Sequence, residues 1–481
     1  MELPALIDAI GPSDVRGATA VPVTSLTYDA DSAEPGSLHF CVPGFRADGH
    51  DFAGRAVERG AVALVVERPL DVDVTQLVVP SSRAAMGPAA DRFFGHPSSE
   101  LRVVGITGTN GKTTTAFLTY AVLEAAGLRP GLLGTVESRI GGQATEVKRT
   151  TPEGIDLQAT FRRMLDAGDR SCAMEVSSHA LELGRVAGTT FATAAFTNLT
   201  QDHLDFHPTM EDYYLAKRRL FTAGTPGAVN IGDEYGRRLA SEADGRVLTY
   251  AVRSQEADVM PHACEVGDGG AISLIARTPR GLLPLDVRLR GTFNVENVLC
   301  AVTIGELLEL PHDAVRAGIA SVEGVPGRFE AVDAGQPFTV LVDYAHTPDS
   351  LANVLESARA ITHGQVICVF GCGGDRDRGK RPLMGAVARR LADRAIVTTD
   401  NSRSEDPAAI AAEIAGDAEM ETELDRRRAI GLAVSAARAG DVVVIAGKGH
   451  EQGQQFADRT LPFDDRTVAR EALDELVSAS R

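Results

Sequence analysis

Arg-Val-Val-Gly-Ile-Thr-Gly-Thr-Asn-Gly-Lys-Thr-Thr-Thr, residues 102–115, is the stretch from which the fold is read. Val103, Val104 and Ile106 predict a buried strand, and the glycines after them a turn. From Lys112 on, Phe117/Ala121/Ala125 and Leu118/Val122/Ala126 recur four apart, as on a helix that Gly127 and Pro130 end. Strand, glycine turn and helix N-terminus together set backbone N–H groups and the positive end of a helix dipole around an anion, which makes this a phosphate cradle. Lys112 would neutralise the β- and γ-phosphates of a nucleotide, and the Thr113 hydroxyl would ligate Mg²⁺. Gly108, Thr109, Asn110, Gly111 and Thr114 complete the nucleotide-binding loop. The glycine spacing departs from the general phosphate-loop pattern, because Ile106 stands where that pattern has glycine.

A chain of 481 residues suggests about three domains. With 44% apolar and 24% charged residues, each domain can bury a core of its own. A net charge of −18 argues against a nucleic-acid surface, which needs a basic face. Anionic ligands would instead need basic residues gathered locally, and the densest group is Arg376, Arg378, Lys380 and Arg381. The six cysteines form no Cys-x-x-Cys, and Cys368 and Cys372 are the closest pair, so a reduced compartment fits better than disulfides or zinc. The N-terminus carries Glu2 and Asp8 and no signal-peptide core, and no apolar run approaches the roughly 20 residues that span a bilayer. The expectation is a soluble cytoplasmic protein, a monomer, with no nucleic-acid partner and no membrane insertion.

Residues 1–100 read as a first α/β unit with strands at Leu38–Val42 and Ala61–Val66 and a helix at Asp51–Arg59. Pro43–Gly49 is a loop that serves either as a turn-rich connection or as a ligand loop. Residues 101–325 form a second unit on the phosphate cradle. There Cys172–Glu175 predicts a buried strand with a carboxylate, Glu175, at its C-terminal end, where open α/β sheets bind ligands. Mg²⁺ takes oxygen ligands, so Glu175 is the first metal candidate. A strand at Ala194–Thr197 runs into a polar segment with His203, which reads as a turn residue or a ligand. The helix Met210–Phe221 carries Lys217, and Asn294 and Asn297 sit in the helical stretch Gly291–Ala301 as adenine readers or helix caps. Residues 326–481 read as a doubly wound domain with strands at Thr339–Val342, Val366–Phe370, Ala395–Thr398 and Val442–Ala446. A charged loop follows each strand, and the four should converge on one edge.

The motifs, in their order, resemble the Mur ligase family over essentially the whole chain: Gly-Ile-Thr-Gly-Thr-Asn-Gly-Lys-Thr-Thr (105–114), Met-Glu-Val-Ser-Ser-His-Ala-Leu (174–181), Phe-Thr-Asn-Leu-Thr-Gln-Asp-His-Leu-Asp (196–205), Gly-Arg-Phe-Glu (327–330), Val-Asp-Tyr-Ala-His-Thr-Pro-Asp (342–349) and Gly-Cys-Gly-Gly-Asp-Arg-Asp (371–377). The family's glycine spacing also accounts for Ile106. Within the family the chain is most similar to the ligases that attach the third peptide residue to UDP-MurNAc-L-Ala-D-Glu in peptidoglycan synthesis. The resemblance implies an α/β protein of three domains: a small one for the UDP-sugar, a central ATPase with a mostly parallel sheet, and a Rossmann-like C-terminal one. It further implies that ATP phosphorylates the D-Glu carboxylate and that an amine attacks the acyl phosphate.

By that resemblance, Lys112, Glu175, His203 and Lys217 are the catalytic set. Thr113, Glu175, His203 and Lys217 would hold Mg²⁺, with Lys217 carrying a CO₂-derived carbamate as N6-carboxylysine. A lysine of ordinary pKa is neutral in only about one molecule in a few thousand at pH 7, so burial would favour the modification. For ATP the implied residues include Asn294, Asn297, Arg328, Asp343 and His346. For the UDP-sugar they are Ala30, Phe45, Arg46, Ala47, Thr150, Thr151, Ser177 and Arg185. Ala30 stands where a serine is usual and Leu183 where glutamine is frequent.

For the amino acid, Arg376, Asp400, Asn401, Arg403, Gly447 and Glu451 match the pattern of ligases that use meso-diaminopimelate, while Ser402 replaces a proline. The arginines would hold the distal carboxylate and Glu451 the distal ammonium. A charge-assisted hydrogen bond is worth about 1.5–3 kcal/mol, enough to discriminate against lysine, which has no second carboxylate. Loss of proline's fixed φ would loosen the loop. The alternatives are the same ligase adding L-lysine, a folylpolyglutamate-type ligase, a phosphate-loop kinase, and a non-catalytic scaffold, which would be expected to lose Lys112, Glu175 or Lys217.

Overall fold

The Arg102–Thr107 stretch is a strand and Lys112–Ala125 a helix in the computed structural model, which describes every residue except 45, 46, 146, 148, 222, 223, 268, 269, 480 and 481. Interleaved segments build two compact units. One takes Met1–Thr107, Gly127–Ala194 and Arg219–Thr225; the other takes Gly108–Ala126, Ala195–Arg218 and Pro226–Arg481.

In the first unit, five short strands lie in the order Asp14–Arg16, Thr75–Val78, Ala61–Val66, Ser37–Phe40 and Ser25–Thr27, parallel except for the first. Alternation decides the layers, since successive side chains leave a strand on opposite faces. Leu38, Phe40, Ala63 and Val65 pack with Leu3, Leu6 and Met86, whereas Leu64, Val66 and Cys41 pack with Ala53 and Ala56. The expected helix at Asp51–Arg59 is a 3₁₀ turn, Gly49–Phe52, followed by the helix Ala53–Glu58. The Asp48 carboxylate accepts the His50 N–H and tightens this start. The same unit holds the parallel strands Arg102–Thr107, Ser171–Glu175 and Pro130–Leu133, extended by antiparallel Ser138–Ile140 and Gln143–Thr145.

In the second unit the helix Lys112–Ala125 is buried almost all round. It packs on the helices Asn294–Leu307 and His312–Ser321, the latter so closely that a Cβ on Gly318 would lie 2.5 Å from the Val122 Cα. Met260–Val266, Ile272–Thr278 and Gly281–Val287 form an antiparallel sheet. The sequence reading did not include it, because its edge strands leave many side chains in solvent and lack the apolar runs that marked the other strands. The C-terminal sheet runs Glu330–Ala331, Thr339–Asp343, Val442–Ala446, Val366–Phe370, Arg394–Val397 and Glu421–Thr422; all pairs are parallel but the first. Apolar clusters cover both of its faces, as a doubly wound fold requires. No helix among the described residues is long and apolar enough to cross a membrane.

Candidate functional site

The Gly-rich turn needs two of its glycines. Gly108 has φ 149° and a Cβ there would lie 1.8 Å from Thr197 Oγ1; Gly111 has φ 85° and a Cβ would lie 2.3 Å from Asn297 Oδ1. The turn is pinned by the segment after the Thr193–Phe196 strand. Asn198 accepts the Thr109 N–H on its carbonyl and the Asn110 N–H on Oδ1, both at 2.9 Å, and Thr197 Oγ1 donates to the Asn110 carbonyl at 2.6 Å. Lys112 Nζ turns back onto the loop, donating to the carbonyls of Gly108 (2.9 Å) and Thr109 (2.7 Å). Thr114 is buried, and Thr113 Oγ1 accepts from Arg328 Nη2 at 2.9 Å.

Beneath the turn lie Asn294 and Asn297, both buried. Asn297 Nδ2 donates to Asn294 Oδ1 at 2.8 Å, and Asn294 Nδ2 to the Arg290 carbonyl at 2.6 Å. Arg328 stacks on the Tyr344 ring at 4.5 Å. Asp343 accepts the N–H groups of Phe329 and Ala345, each at 2.7 Å, and so joins two loops. Burial raises its pKa against the pull of Arg328 and these bonds.

Lys217 is fully buried on the helix Met210–Arg218. Its Nζ donates to the Gly108 carbonyl at 2.8 Å and lies 4.5 Å over the Tyr213 ring. Burial, then the charge of Lys112, drives its pKa well below the ordinary lysine value, while Asp202 opposes them. His203, at φ 56°, places Nε2 3.4 Å from Asp202 Oδ2. Buried Asp202 also lies 3.5 Å from His346 Nε2 and 3.5 Å from Lys380 Nζ. Burial pushes its pKa up, but His346, His203 and Lys380 outweigh that and hold it well below the usual carboxylate range. The sequence reading assigned no role to Asn198, Asp202 or Lys380. Asn198 and Asp202 lie inside a quoted motif and Lys380 inside the basic cluster, so only their roles were hidden.

The four C-terminal loops meet, as expected from their places at strand ends. Gly447 N donates to the Asp343 carbonyl, Gly374 N to the Asn401 carbonyl, and Asn401 Nδ2 to Glu451 Oε2 at 2.8 Å. Lys448, fully buried, bonds both Asn401 Oδ1 (2.8 Å) and Glu451 Oε2 (3.0 Å). A Cβ on Gly447 would lie 2.6 Å from Asp400 Oδ2. Burial raises the Asp400 pKa, but Lys448, Arg426 and the Asn401 N–H bring it below normal. Arg403 Nη1 donates to the Gly374 carbonyl at 2.6 Å. Burial, then the nearby charge of Arg376, lowers the Arg403 pKa, and both side chains flank Gly373, where a Cβ would lie 3.0 Å from Arg403 Nη1 and 3.8 Å from Arg376 Cγ.

In the other unit, Glu175 at the end of its strand accepts Thr135 N at 2.7 Å and Thr135 Oγ1 at 3.1 Å. Thr150 Oγ1 lies 3.1 Å from Thr135 Oγ1, and Thr151 Oγ1 donates to the Glu175 carbonyl at 3.0 Å. Ser177 caps the short helix Ser178–Glu182. Arg185 Nε and Arg149 Nη1 each lie 3.0 Å from Glu153 Oε1 and Arg83 Nη1 lies 2.9 Å from its Oε2, an arginine cluster that the sequence reading missed. Ala30 is buried in a 3₁₀ turn and Ala47 is exposed; Phe45 and Arg46 lie outside the described residues. Among the described residues, no three His, Cys, Asp or Glu side chains gather to hold a metal.

Three family models match the chain: Mur ligase family, catalytic domain, over residues 22–96; Mur ligase middle domain over 106–305; and Mur ligase, glutamate ligase domain, over 327–449. The UDP-N-acetylmuramoyl-L-alanyl-D-glutamate--2,6-diaminopimelate ligase of Bacillus licheniformis is 44% identical over 466 residues, covering 94% of this chain and 95% of its own. The protein of that name from Solibacter usitatus is 48% identical over 464 residues, covering 94% and 93%. A solved structure of a ligase with the same name superposes with TM-score 0.70 at 31% identity, covering 98% of this chain and 99% of that one. MurF from Thermotoga maritima in complex with ADP, 19% identical, shares the fold with TM-score 0.64 over 95% and 97%.

Proposed function

The chain belongs to the Mur ligase family, and from that premise we propose that it is an ATP-dependent ligase that joins meso-diaminopimelate to UDP-MurNAc-L-Ala-D-Glu in peptidoglycan synthesis. The observation that carries this reading is that one unit holds both the glycine turn and helix of the phosphate cradle, with Lys112 and the buried Lys217 on the Gly108 carbonyl, and the C-terminal edge, where Arg403 is held on the Gly374 carbonyl and Glu451 by Asn401.

A carboxylate oxygen of D-Glu attacks the γ-phosphorus of ATP; the bond to the β,γ-bridging oxygen breaks and ADP leaves. The unprotonated amine of the amino acid then attacks the acyl carbon, the tetrahedral species expels phosphate, and the amine's proton is lost. Phosphoryl transfer needs charge neutralisation and positioning more than covalent help. Lys112 and the turn's N–H groups supply these, with Thr113, Asn110 and Thr114 around them. Thr113, Glu175, His203 and the Lys217 carbamate would hold Mg²⁺, which would supply charge neutralisation at the phosphates. The depressed Lys217 pKa supports the carbamate, because CO₂ adds only to the neutral amine.

Asn294, Asn297, Arg328, Asp343 and His346 serve the nucleotide, and Ala30, Phe45, Arg46, Ala47, Thr150, Thr151, Ser177 and Arg185 serve the UDP-sugar. Arg376 and Arg403 take the distal carboxylate of the amino acid and Glu451 its ammonium, with Asp400, Asn401, Ser402 and Gly447 shaping the edge. On this reading residues 1–100, 101–325 and 326–481 divide the work, in a monomer that acts in the cytoplasm. The test is to trap the acyl phosphate: with MgATP and UDP-MurNAc-L-Ala-D-Glu, hydroxylamine should yield a hydroxamate of the substrate together with ADP. ADP without hydroxamate would overturn the mechanism.

A further inference from the structure

Arg376 and Arg403 are each neighbours of strain: Asp375 has φ 52° and Arg403 itself φ 50°, left-handed values that non-glycine residues hold only when their surroundings enforce them. What enforces them is a set of bonds between the two loops. The Asp375 carboxylate accepts Ser404 Oγ (2.6 Å) and Ser404 N (3.1 Å), while Asp375 N donates to Glu405 Oε1 at 2.6 Å. Arg381, fully buried, grips Glu405 through two nitrogens (2.7 and 2.9 Å) and reaches the Gly373 carbonyl at 3.2 Å. The loops touch so closely that a Cβ on Gly374 would lie 1.9 Å from the Ser402 carbonyl oxygen. The Ser404 bonds hold Asp375 ionised, and Arg381 holds Glu405 so, with its pKa brought down to about 2.

We propose that Asp375 and Glu405 are positioning residues that staple the 373–376 loop to the 401–405 loop, aim the two arginines, and thereby set the preference for an amino acid with a second carboxylate. The staple does here what a proline at position 402 would do, by fixing the backbone through side chains instead of through a ring. The inference rests on the ligase reading above. Neither carboxylate touches substrate; each acts through Arg376 or Arg403.

The test uses the full-length enzyme and steady-state kinetics with meso-diaminopimelate, L-lysine, MgATP and UDP-MurNAc-L-Ala-D-Glu. Asp375→Ala removes both acceptors and disfavours the left-handed backbone; it should raise the KM for diaminopimelate at least tenfold and reduce the diaminopimelate-to-lysine preference by a similar factor. The KM for ATP should stay within twofold. Asp375→Asn keeps one acceptor and tolerates positive φ, so it should recover most of the loss, whereas Asp375→Gly, which is free at φ but has no carboxylate, should not. Glu405→Ala should repeat the selective effect. If wild type forms no adduct, the ligase reading fails and this inference with it. If wild type is active and Asp375→Ala leaves the diaminopimelate KM unchanged, or raises the ATP KM equally, the inference alone is overturned.

Discussion

The phosphate cradle and the C-terminal edge both concentrate positive charge, but they hold it differently. Around the cradle, beside Arg328 on Thr113, the charges are lysines resting on backbone carbonyls: Lys112 on Gly108 and Thr109, Lys217 on Gly108. A lysine is a compact point charge whose pKa yields to burial, which suits a group that must neutralise phosphates or be modified. At the edge, around the buried Lys448, the charges are mainly arginines, held by carboxylates, as Arg381 is by Glu405 and Glu413 and Arg426 by Asp465 at 2.7 Å, or by a carbonyl, as Arg403 is by Gly374. Arginine stays charged and presents a rigid fork, which suits recognition of a carboxylate by geometry. Adaptable charge thus lies where chemistry is proposed, and rigid charge where an amino acid is proposed to be told from its analogues.

The contrast can be broken at four points, taken from the largest expected effect to the smallest. Lys112→Met should lower kcat by roughly a hundredfold to a thousandfold, the usual loss when one preorganised charge-stabilising group is removed; stopped assays of phosphate release would show it. Lys217→Ala should lower turnover by about a hundredfold, with partial recovery on adding a small carboxylate such as formate, and normal activity in that variant would remove the carbamate. Arg403→Ala should raise the KM for diaminopimelate by about ten- to a hundredfold, as expected for one lost charge-assisted bond, and leave that for ATP nearly alone. The smallest effect is on stability in acid. Glu405 has a folded pKa of about 2 against an ordinary 4.5, so its contribution is present above pH 4.5 and is lost as pH falls toward 2. The difference in melting temperature between wild type and Glu405→Gln should therefore shrink below pH 4.5.

The same contrast explains how much could be read from the sequence. The cradle is one contiguous run, and strand, turn and helix stand in the structure where the apolar spacing and Gly127 set them. The C-terminal strands were also legible, Val366–Phe370 and Val442–Ala446 to the residue, because buried parallel strands are short unbroken apolar runs. The edge was legible only as four charged loops. Its working contacts, Asp375 to Ser404 or Lys448 to Asn401, join residues about 30 to 50 positions apart, and no local pattern announces such a pair. For the same reason Arg83 and Arg185 gave no sign that they share Glu153 with Arg149. Ser402 looked like a loosening of the loop, yet the chain there is held from both sides.

The central claim is that this edge selects a zwitterion with a second carboxylate for an ATP-driven ligation. The most direct measurement is a competition: purified protein, MgATP and UDP-MurNAc-L-Ala-D-Glu with equal meso-diaminopimelate and L-lysine, the product identified by mass. A diaminopimelate adduct in large excess is the expected result. A lysine adduct, or none with either amino acid, would contradict it.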